Sequence, residues 1–400
     1  MASKPRETHR SSEDAQSPTE LLVLTNGPPT TRYTHVSRTP GVANINKGLH
    51  CITQVAIISH RAGLSHLGLQ PGAMVGLFSN NNTEWVVAEH ACYMYGLTTV
   101  PLYDTLGVDA VEHIIGATET TLIFATCDHA SLLIDNASKL GSLKTIVLMD
   151  TPTEEIVKKS SDAGINAICF KDLEKTGSDY PSEKAVLSGE TIATICYTSG
   201  TTGLPKGVVL SHANLLSFVA TTETYGKNGM IPQLFPTDVY CSYLPLAHIF
   251  ERIILASLTY VGARIGFFQG DTLKLMEDLS ELKPTLFASV PRLYNKIFDK
   301  IRSGIKAKGA FATALFEKGY GSKKDFLKKG YKSHLLWDNI LFNKIKAKLG
   351  GNVRFMLSGA APIAAEVIEF MRICFGVDFV EGYGQTETSG AAVTVTFFKL

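Results

Sequence analysis

No run of apolar residues in this 400-residue sequence is long enough to cross a membrane as a helix, which takes about twenty residues. We therefore predict no transmembrane segment. The first residues, 1–17, are polar and lack the apolar core of a secretory signal. These two absences favour a cytoplasmic protein.

The sequence also lacks an excess of either charge. Lys and Arg number 38, Asp and Glu number 37, and the net charge of +1 gives no global indication of binding to nucleic acid. One stretch departs from this balance, because residues 296–348 contain thirteen lysines and one arginine against four acidic residues. Three interpretations remain open: a solvated helical face, contact with anionic lipid headgroups, or contact with a phosphate-bearing ligand.

Cysteine is too scattered to form a disulfide framework or a zinc site. There are seven cysteines, an odd number, and no two of them have the spacing of a Cys-x-x-Cys pair. We expect reduced side chains that pack inside the protein as small apolar groups.

What the sequence does have is a regular alternation of short apolar runs and amphipathic stretches from about residue 52 onward. This rhythm predicts an α/β fold with two parallel sheets covered by helices, in which active loops follow the carboxyl ends of strands. Residues 1–50 show little periodicity and are predicted to be disordered or atypical, which leaves 51–400 as the folded domain. The lysine-rich residues 292–348 have helical patterns and are predicted to be an insertion between two strands.

The most informative motif is 197–207, which follows an apolar strand and precedes a helical pattern that begins near Ser211. Glycines let the backbone approach an anion closely, and hydroxyls, free N–H groups and a lysine bind phosphate oxygens. The loop is not a Walker A sequence, because Pro205 precedes Lys206 and Gly207 follows it. A flexible surface turn is the structural alternative. The candidate phosphate ligands are Thr198, Ser199, Gly200, Thr201, Thr202, Gly203 and Lys206.

A second motif, 381–387, places an aromatic ring, a hydroxyl and a carboxylate in a glycine-rich turn after a strand. Tyr383 can stack on a purine, Thr386 can bind a phosphate, and Glu387 can hold Mg²⁺ together with phosphate oxygens. Gly382 and Gly384 leave the backbone open on either side of the ring. The alternative is a charged loop with no ligand.

Two further stretches follow predicted strands. Ser358, Gly359 and Ala360 are small and leave room for a flat ligand, although a turn that precedes a helix explains them equally well. His248 stands just ahead of another helical pattern. A lone histidine is more often structural than catalytic, but this one could orient a substrate carboxylate by hydrogen bonding. We do not assign it as a general base.

These motifs resemble those of the adenylate-forming superfamily, which contains acyl-CoA synthetases, luciferases and the adenylation domains of peptide synthetases. The resemblance implies that the loop ending at Lys206 closes over the β- and γ-phosphates of ATP. It implies catalytic roles for Lys206, His248 and Glu387, and a Mg²⁺ site made of Glu387 with Thr198 or Thr201. The remaining nucleotide contacts that it implies are Ser358, Gly359 and Ala360 at the adenine, with Gly382, Tyr383, Gly384 and Thr386.

Within that superfamily, the segments 78–85, 100–107 and 344–351 and the lysine-rich insertion look like eukaryotic long-chain acyl-CoA synthetases. The resemblance implies a ligase that uses ATP and Mg²⁺ to convert a long-chain fatty acid to acyl-AMP, and then, with coenzyme A as a substrate, to acyl-CoA. It implies no nucleic-acid partner. It allows peripheral contact with an anionic membrane surface, on the endoplasmic reticulum, peroxisome or lipid droplet.

The sequence departs from that family where it ends, at Leu400, shortly after the second motif. Family members continue with most of a barrel subdomain, a ribose-binding Asp, and a small C-terminal domain that carries a catalytic Lys. We therefore expect this chain alone to make little or no acyl-CoA. The alternatives are a non-catalytic chain that binds nucleotide or acyl groups, and another adenylate-forming CoA ligase.

Overall fold

Strands and helices alternate along the described part of this computed structural model, which comprises residues 21–23, 49–50, 54–183, 185–198 and 204–397. The strands are β1 (Leu21–Val23), β2 (Leu49–His50), β3 (Met74–Phe78), β4 (Thr98–Leu102), β5 (Leu122–Ala125), β6 (Thr145–Leu148), β7 (Asn166–Cys169), β8 (Ile192–Thr198), β9 (Lys206–Ser211), β10 (Val239–Ser242), β11 (Arg264–Phe267), β12 (Leu286–Ser289), β13 (Phe355–Ser358), β14 (Asp378–Gln385) and β15 (Gly390–Phe397). The helices are α1 (Gln54–His66), α2 (Thr83–Tyr95), α3 (Val108–Thr118), α4 (Cys127–Asp135), α5 (Glu154–Asp162), α6 (Phe170–Asp179), α7 (His212–Lys227), α8 (Ile249–Val261), α9 (Leu275–Leu282), α10 (Pro291–Lys306), α11 (Ala310–Lys328), α12 (Leu335–Trp337), α13 (Asn343–Lys346) and α14 (Ala365–Phe375).

A seven-stranded sheet forms the first half of the fold, in the order β7-β6-β5-β3-β4-β8-β9. Its strands are parallel except for β9, which runs antiparallel to β8. Strands β4 and β5 are buried throughout, as expected for a parallel sheet covered on both faces. Local signals fix both ends of helix α2, because Asn82 caps its start and the left-handed Gly96 ends it.

Two four-stranded sheets form the second half, in the orders β10-β11-β1-β2 and β12-β13-β14-β15. The Thr285 N–H donates to the carbonyl oxygen of Val239 (2.8 Å) and so links the start of β12 to β10. The prediction of an α/β fold with helix-covered parallel sheets is confirmed. Three antiparallel pairings, β8/β9, β14/β15 and β1/β11, were not predicted. Strands β1 and β2 lie inside residues 1–50, for which the sequence predicts little regular structure.

Helices α10 to α13 lie between β12 and β13, and α10, α11 and α13 pack on α14. A π-helical turn (Asp338–Phe342) joins α12 to α13, and a 3-10 turn (Ala347–Leu349) follows them. Buried aromatic side chains, among them Phe316, Phe342 and Phe370, make the contact with α14. Because Lys323 is buried, its ammonium pairs with the carboxylate of Asp338 (2.5 Å).

The fold bears on two expectations from the sequence, which concern membrane-spanning helices and cysteine pairing. Among the described residues, no helix is both long and apolar enough to span a bilayer. The cysteines in the described segments carry free thiols, and Cys92, Cys196, Cys241 and Cys374 are buried. Their packing agrees with the expected role of small apolar groups.

Candidate active site

An apolar cavity of about 510 Å³ lies beside the carboxyl ends of β13 and β14, between helices α7 and α8 and strand β15. Cavities of a few hundred cubic ångströms with mainly apolar walls are typical ligand sites. Its walls include Phe218, Ile231, Ile254, Leu258, Phe355 and Leu357.

Three motifs that lie far apart in the sequence meet at this cavity. His248 from the start of α8, Gly359 and Ala360 after β13, and Gly382 and Gly384 on β14 all line it. They converge because β13 and β14 are neighbouring parallel strands and therefore end at the same edge of the sheet. The structure thus brings together much of the predicted nucleotide and carboxylate site.

The loop after β13 has little room for larger side chains. A side chain at Gly359 would place its Cβ 3.0 Å from the Phe250 ring. Ala360 has a φ of +69°, a left-handed conformation that costs energy for any residue other than glycine and is often found at functional sites. Ser358 is fully buried, and its Oγ has no hydrogen-bond partner among the described residues. Such an unpaired buried group is one that a bound ligand can satisfy.

The turn between β14 and β15 presents Glu387 to solvent. Within it, the Gln385 N–H donates to Thr388 Oγ1 (3.1 Å), and that hydroxyl donates to the Gly390 carbonyl (2.9 Å). Gly384 cannot carry a side chain here, because its Cβ would lie 1.7 Å from the Gly390 oxygen. Glu387 is exposed on this turn. Of the other predicted residues, Tyr383 is exposed and Thr386 is buried.

Strand β9, which begins at Lys206, lies against the turn Thr386–Thr388 that carries Glu387. Lys206 is exposed and pairs across the sheet with Thr198, whose hydroxyl donates to the Lys206 carbonyl (3.5 Å). The two ends of the predicted phosphate loop are therefore on the same side of the molecule as Glu387. The predicted ligands Ser199, Gly200, Thr201, Thr202 and Gly203 lie outside the described residues.

His248 caps helix α8, where its Nδ1 accepts the N–H of Phe250 (3.0 Å). Because Nδ1 is an acceptor, the proton of the neutral ring belongs on Nε2. Burial lowers the pKa of His248. The ring is therefore neutral near pH 7 and can donate one hydrogen bond from Nε2 at the cavity wall.

A buried polar network fixes the turn before His248. Asn81, in the loop after β3, donates to the Leu244 carbonyl (2.7 Å) and to Ser242 Oγ (2.9 Å), and its Oδ1 accepts the Leu246 N–H (3.0 Å). The hydroxyl of Ser242 in turn donates to the Glu251 carboxylate (2.6 Å). The turn is thus tied to both halves of the fold.

Glu251 was missed by the sequence reasoning. It is fully buried on α8 and also accepts a hydrogen bond from the Tyr240 hydroxyl (2.6 Å). Burial raises its pKa to about 8, although the hydrogen bonds from Ser242 and Tyr240 oppose the shift. An available signal was the Glu-Arg pair inside the otherwise apolar stretch 249–258, since charges in such a stretch must find buried partners.

No group of three or more His, Cys, Asp or Glu side chains is arranged to hold a metal ion in the described part of the chain. Glu387 remains a predicted Mg²⁺ ligand. An exposed carboxylate beside the predicted phosphate loop has the oxygen chemistry that this ion prefers.

Comparison with known proteins gives one family and one fold. The family described as AMP-binding enzyme matches residues 60–399. The chain is 43% identical over 328 residues to the peroxisomal long chain acyl-CoA synthetase 6 of Arabidopsis thaliana, covering 82% of this chain and 46% of that protein. It is 40% identical over 330 residues to the human long-chain-fatty-acid–CoA ligase 1, covering 81% and 47%. The chain therefore spans about half the length of these curated relatives.

A solved structure shares the fold. The crystal structure of the adenylation domain of a Mycobacterium chelonae carboxylate reductase superposes with a TM-score of 0.70 at 20% identity, covering 85% of this chain and 51% of that one. At this identity the likeness establishes the architecture alone.

Proposed function

This chain belongs to the AMP-binding enzyme family, and from that premise we propose that it activates a long-chain fatty acid with ATP as part of a fatty acid–CoA ligase. In the first step, a carboxylate oxygen attacks the α-phosphorus of ATP and pyrophosphate leaves, which gives acyl-AMP. In the second step, the thiolate of coenzyme A attacks the acyl carbonyl and AMP leaves. The products are acyl-CoA, AMP and pyrophosphate.

The observation that carries the proposal is a mainly apolar cavity that has His248 and the loop at Gly359 and Ala360 in its walls. Phe218, Ile254 and Leu258 provide surfaces suited to a hydrocarbon chain, and we assign His248 to the carboxylate of that chain. A neutral His248 donates a hydrogen bond from Nε2 to that carboxylate without competing for the attacking electron pair. The loop at Gly359 and Ala360 offers the flat, open backbone that an adenine needs.

The groups at the phosphates act by position and charge. Lys206 contributes a positive charge toward the β- and γ-phosphates, which carry increasing negative charge as the α–β bond breaks. Glu387 would hold Mg²⁺ on the neighbouring turn, together with phosphate oxygens and a hydroxyl of Thr198 or Thr201. When bound, the ion offsets charge on the departing pyrophosphate.

We also propose where in the cell the reaction takes place. We place the reaction on the cytoplasmic side of cellular membranes, with peripheral contact to an anionic surface such as that of the endoplasmic reticulum, peroxisome or lipid droplet. Support comes from the positive charge of residues 296–348.

Acid-dependent exchange between pyrophosphate and ATP tests this function, because it reports acyl-AMP formation without requiring the second step. We expect exchange with palmitate, weaker exchange with octanoate, and none with acetate or benzoate. Exchange that prefers benzoate would mean another adenylate-forming ligase. Binding of ATP and palmitate without exchange would mean a non-catalytic binding chain.

A further inference from the structure

The helical insertion carries a surface that the proposed reaction does not use. Large apolar side chains are exposed there, with Leu335 85%, Tyr331 62% and Leu336 57% accessible. Lysines alternate with them. We call this surface the basic-apolar face, which comprises Phe326, Tyr331, Leu335, Leu336 and Ile340 together with Lys328, Lys329, Lys344 and Lys348.

Helical spacing puts much of this face on one side of a single rod. From α12 to the 3-10 turn that ends at Leu349, the exposed positions are 335, 336, 339, 340, 343, 344, 347 and 348. Their separation of three to four residues is that of one helix face. Trp337, Phe342 and Ile345 occupy the opposite side and are buried against the core. The rod therefore has an apolar buried side and an outer side that starts with leucines and ends with lysines.

The end of α11 continues the face. The Phe326 ring lies 6.0 Å from Tyr331 and 4.2 Å from His334, which directly precedes Leu335. The ammonium of Lys329 lies 5.9 Å from the centre of the same ring. At the end of α11, apolar and basic groups therefore lie side by side.

The lysines of the face are poorly balanced by acids. Lys328 has only a long contact to Asp325 (3.7 Å), and within the described segments no carboxylate forms an ion pair with Lys329, Lys344 or Lys348. Exposed leucines are unfavourable for a face left in water, and together with unpaired lysines they complement a negatively charged apolar boundary.

The face lies away from the cavity. Lys332, between Tyr331 and Leu335 in the sequence, pairs with Asp378 (2.5 Å), the first residue of β14. The cavity is lined by Gly382 and Gly384 toward the other end of that strand. No residue of the basic-apolar face lines the cavity.

We propose that the basic-apolar face docks on a bilayer that contains anionic phospholipid. Leu335, Leu336 and Ile340 enter the boundary between headgroups and acyl chains, while the lysines bind the headgroup phosphates and carboxylates. This inference rests on the proposed function for its purpose, because long-chain fatty acids partition into membranes and a docked enzyme meets them there. The binding itself does not depend on catalysis.

Flotation of the 400-residue chain with vesicles tests the docking. Vesicles of phosphatidylcholine alone are compared with vesicles in which a third of the lipid is phosphatidylserine. Wild type should float with the anionic vesicles and remain in solution with the neutral ones. Lys344→Glu/Lys348→Glu should weaken binding roughly 30-fold or more, since each lysine contributes roughly fivefold. Leu335→Ser/Leu336→Ser should weaken it roughly tenfold through lost apolar burial.

Matched controls separate this face from general charge and hydrophobicity. Lys171→Glu/Lys175→Glu reverses two exposed lysines with the same helical spacing on α6, and Leu273→Ser removes an equally exposed leucine elsewhere. Both should bind vesicles like wild type. Equal loss in control and test variants would overturn the proposal, as would equal binding of wild type to neutral and anionic vesicles.

Pyrophosphate exchange and sedimentation separate membrane docking from catalysis and from dimer formation. Pyrophosphate exchange with palmitate in detergent should be unchanged in all four variants, so a wild type without exchange would count against the proposed function and leave the docking result standing. Sedimentation gives the oligomeric state. A dimer that Leu335→Ser/Leu336→Ser dissociates, in a protein that binds no vesicles, would identify the face as a contact between two copies and overturn membrane docking.

Discussion

Replacing Glu251 with glutamine should make the free energy of unfolding less dependent on pH. The Glu251 side chain is fully buried, and desolvation raises its pKa from 4.5 to about 8. Glutamine has the same shape, can still accept a hydrogen bond from Ser242 or Tyr240, and never ionises. The substitution therefore removes the titration while preserving most of the packing.

The direction of the pH dependence of stability follows from how many protons the folded and unfolded chains bind. Below pH 4.5, the Glu251 carboxyl group is neutral in the folded and unfolded chain, and its contribution to stability is fully present. As the pH rises toward 8, the unfolded chain has released the proton and the folded chain still holds it, so folding loses about 1.4 kcal/mol per pH unit. Between pH 6 and pH 9 the wild type should lose about 3 kcal/mol relative to Glu251→Gln.

Urea unfolding at pH 6, 7, 8 and 9 measures this difference. Other groups titrate alike in both proteins, so the gap between the two curves isolates Glu251. Glu277→Gln, at an exposed position on α9, is the control and should give a curve parallel to wild type. Parallel curves for wild type and Glu251→Gln would refute the reasoning, because they would mean that the buried carboxyl group holds its proton no more tightly than in the unfolded chain.

Three further substitutions test the candidate site and the turn beside it, and a fourth, Gly116→Ala, is a control. Gly384→Ala should lower the free energy of unfolding by at least about 2 kcal/mol, because its Cβ would overlap the Gly390 oxygen. Gly116→Ala, on an exposed helix position with open space around it, should instead raise it by about 0.5–1 kcal/mol in the same urea titration; equal effects would contradict the geometry. His248→Ala should lower kcat/KM for palmitate-dependent exchange roughly 10- to 100-fold and leave ATP binding intact, as expected for one hydrogen bond to a charged group. Lys206→Ala should weaken ATP binding roughly 10- to 100-fold, measured by calorimetry, and leave the free energy of unfolding in urea unchanged. An unchanged Kd for ATP would show that Lys206 does not bind the phosphates.

The parts of the fold that could be predicted from the sequence are those whose local pattern and tertiary role agree. Helix α2 is an example, since Asn82 and Gly96 mark both ends and the apolar residues between them face the core. Strand β9 was missed because Val209 is exposed and Lys206 begins it, so it lacks the apolar run of a central strand. Its place is set by pairing with β8, which no local pattern encodes.

The residues of the candidate site also differ in how far the sequence alone could identify them. Gly359 and His248 could be picked out because Gly359 directly follows β13 and His248 directly precedes α8, and parallel topology gathers functional loops at such element ends. The Glu-Arg pair in 249–258 indicated a buried charge, but the role of Glu251 could not be derived from it, because that role depends on partners from a strand. Tyr240 and Ser242 lie on β10, and only the packing of α8 against that strand turns a charged residue on an apolar helix into a member of a buried network.

The contacts of Asn81 show what the segment 78–85 does in the fold. In the sequence, this segment was notable only because it resembles long-chain acyl-CoA synthetases. Residues 78–85 lie in the half of the fold built on the seven-stranded sheet, and His248 lies in the other half. The Asn81 amide nevertheless donates to Ser242 and Leu244 and accepts the N–H of Leu246, which holds the end of β10 and the turn that leads to His248. A side chain that satisfies a carbonyl, an N–H and a hydroxyl at once tolerates little displacement of any of them. The position of His248 at the cavity therefore depends on how the two halves pack, and the loop after β3 supports the candidate site although it does not line the cavity.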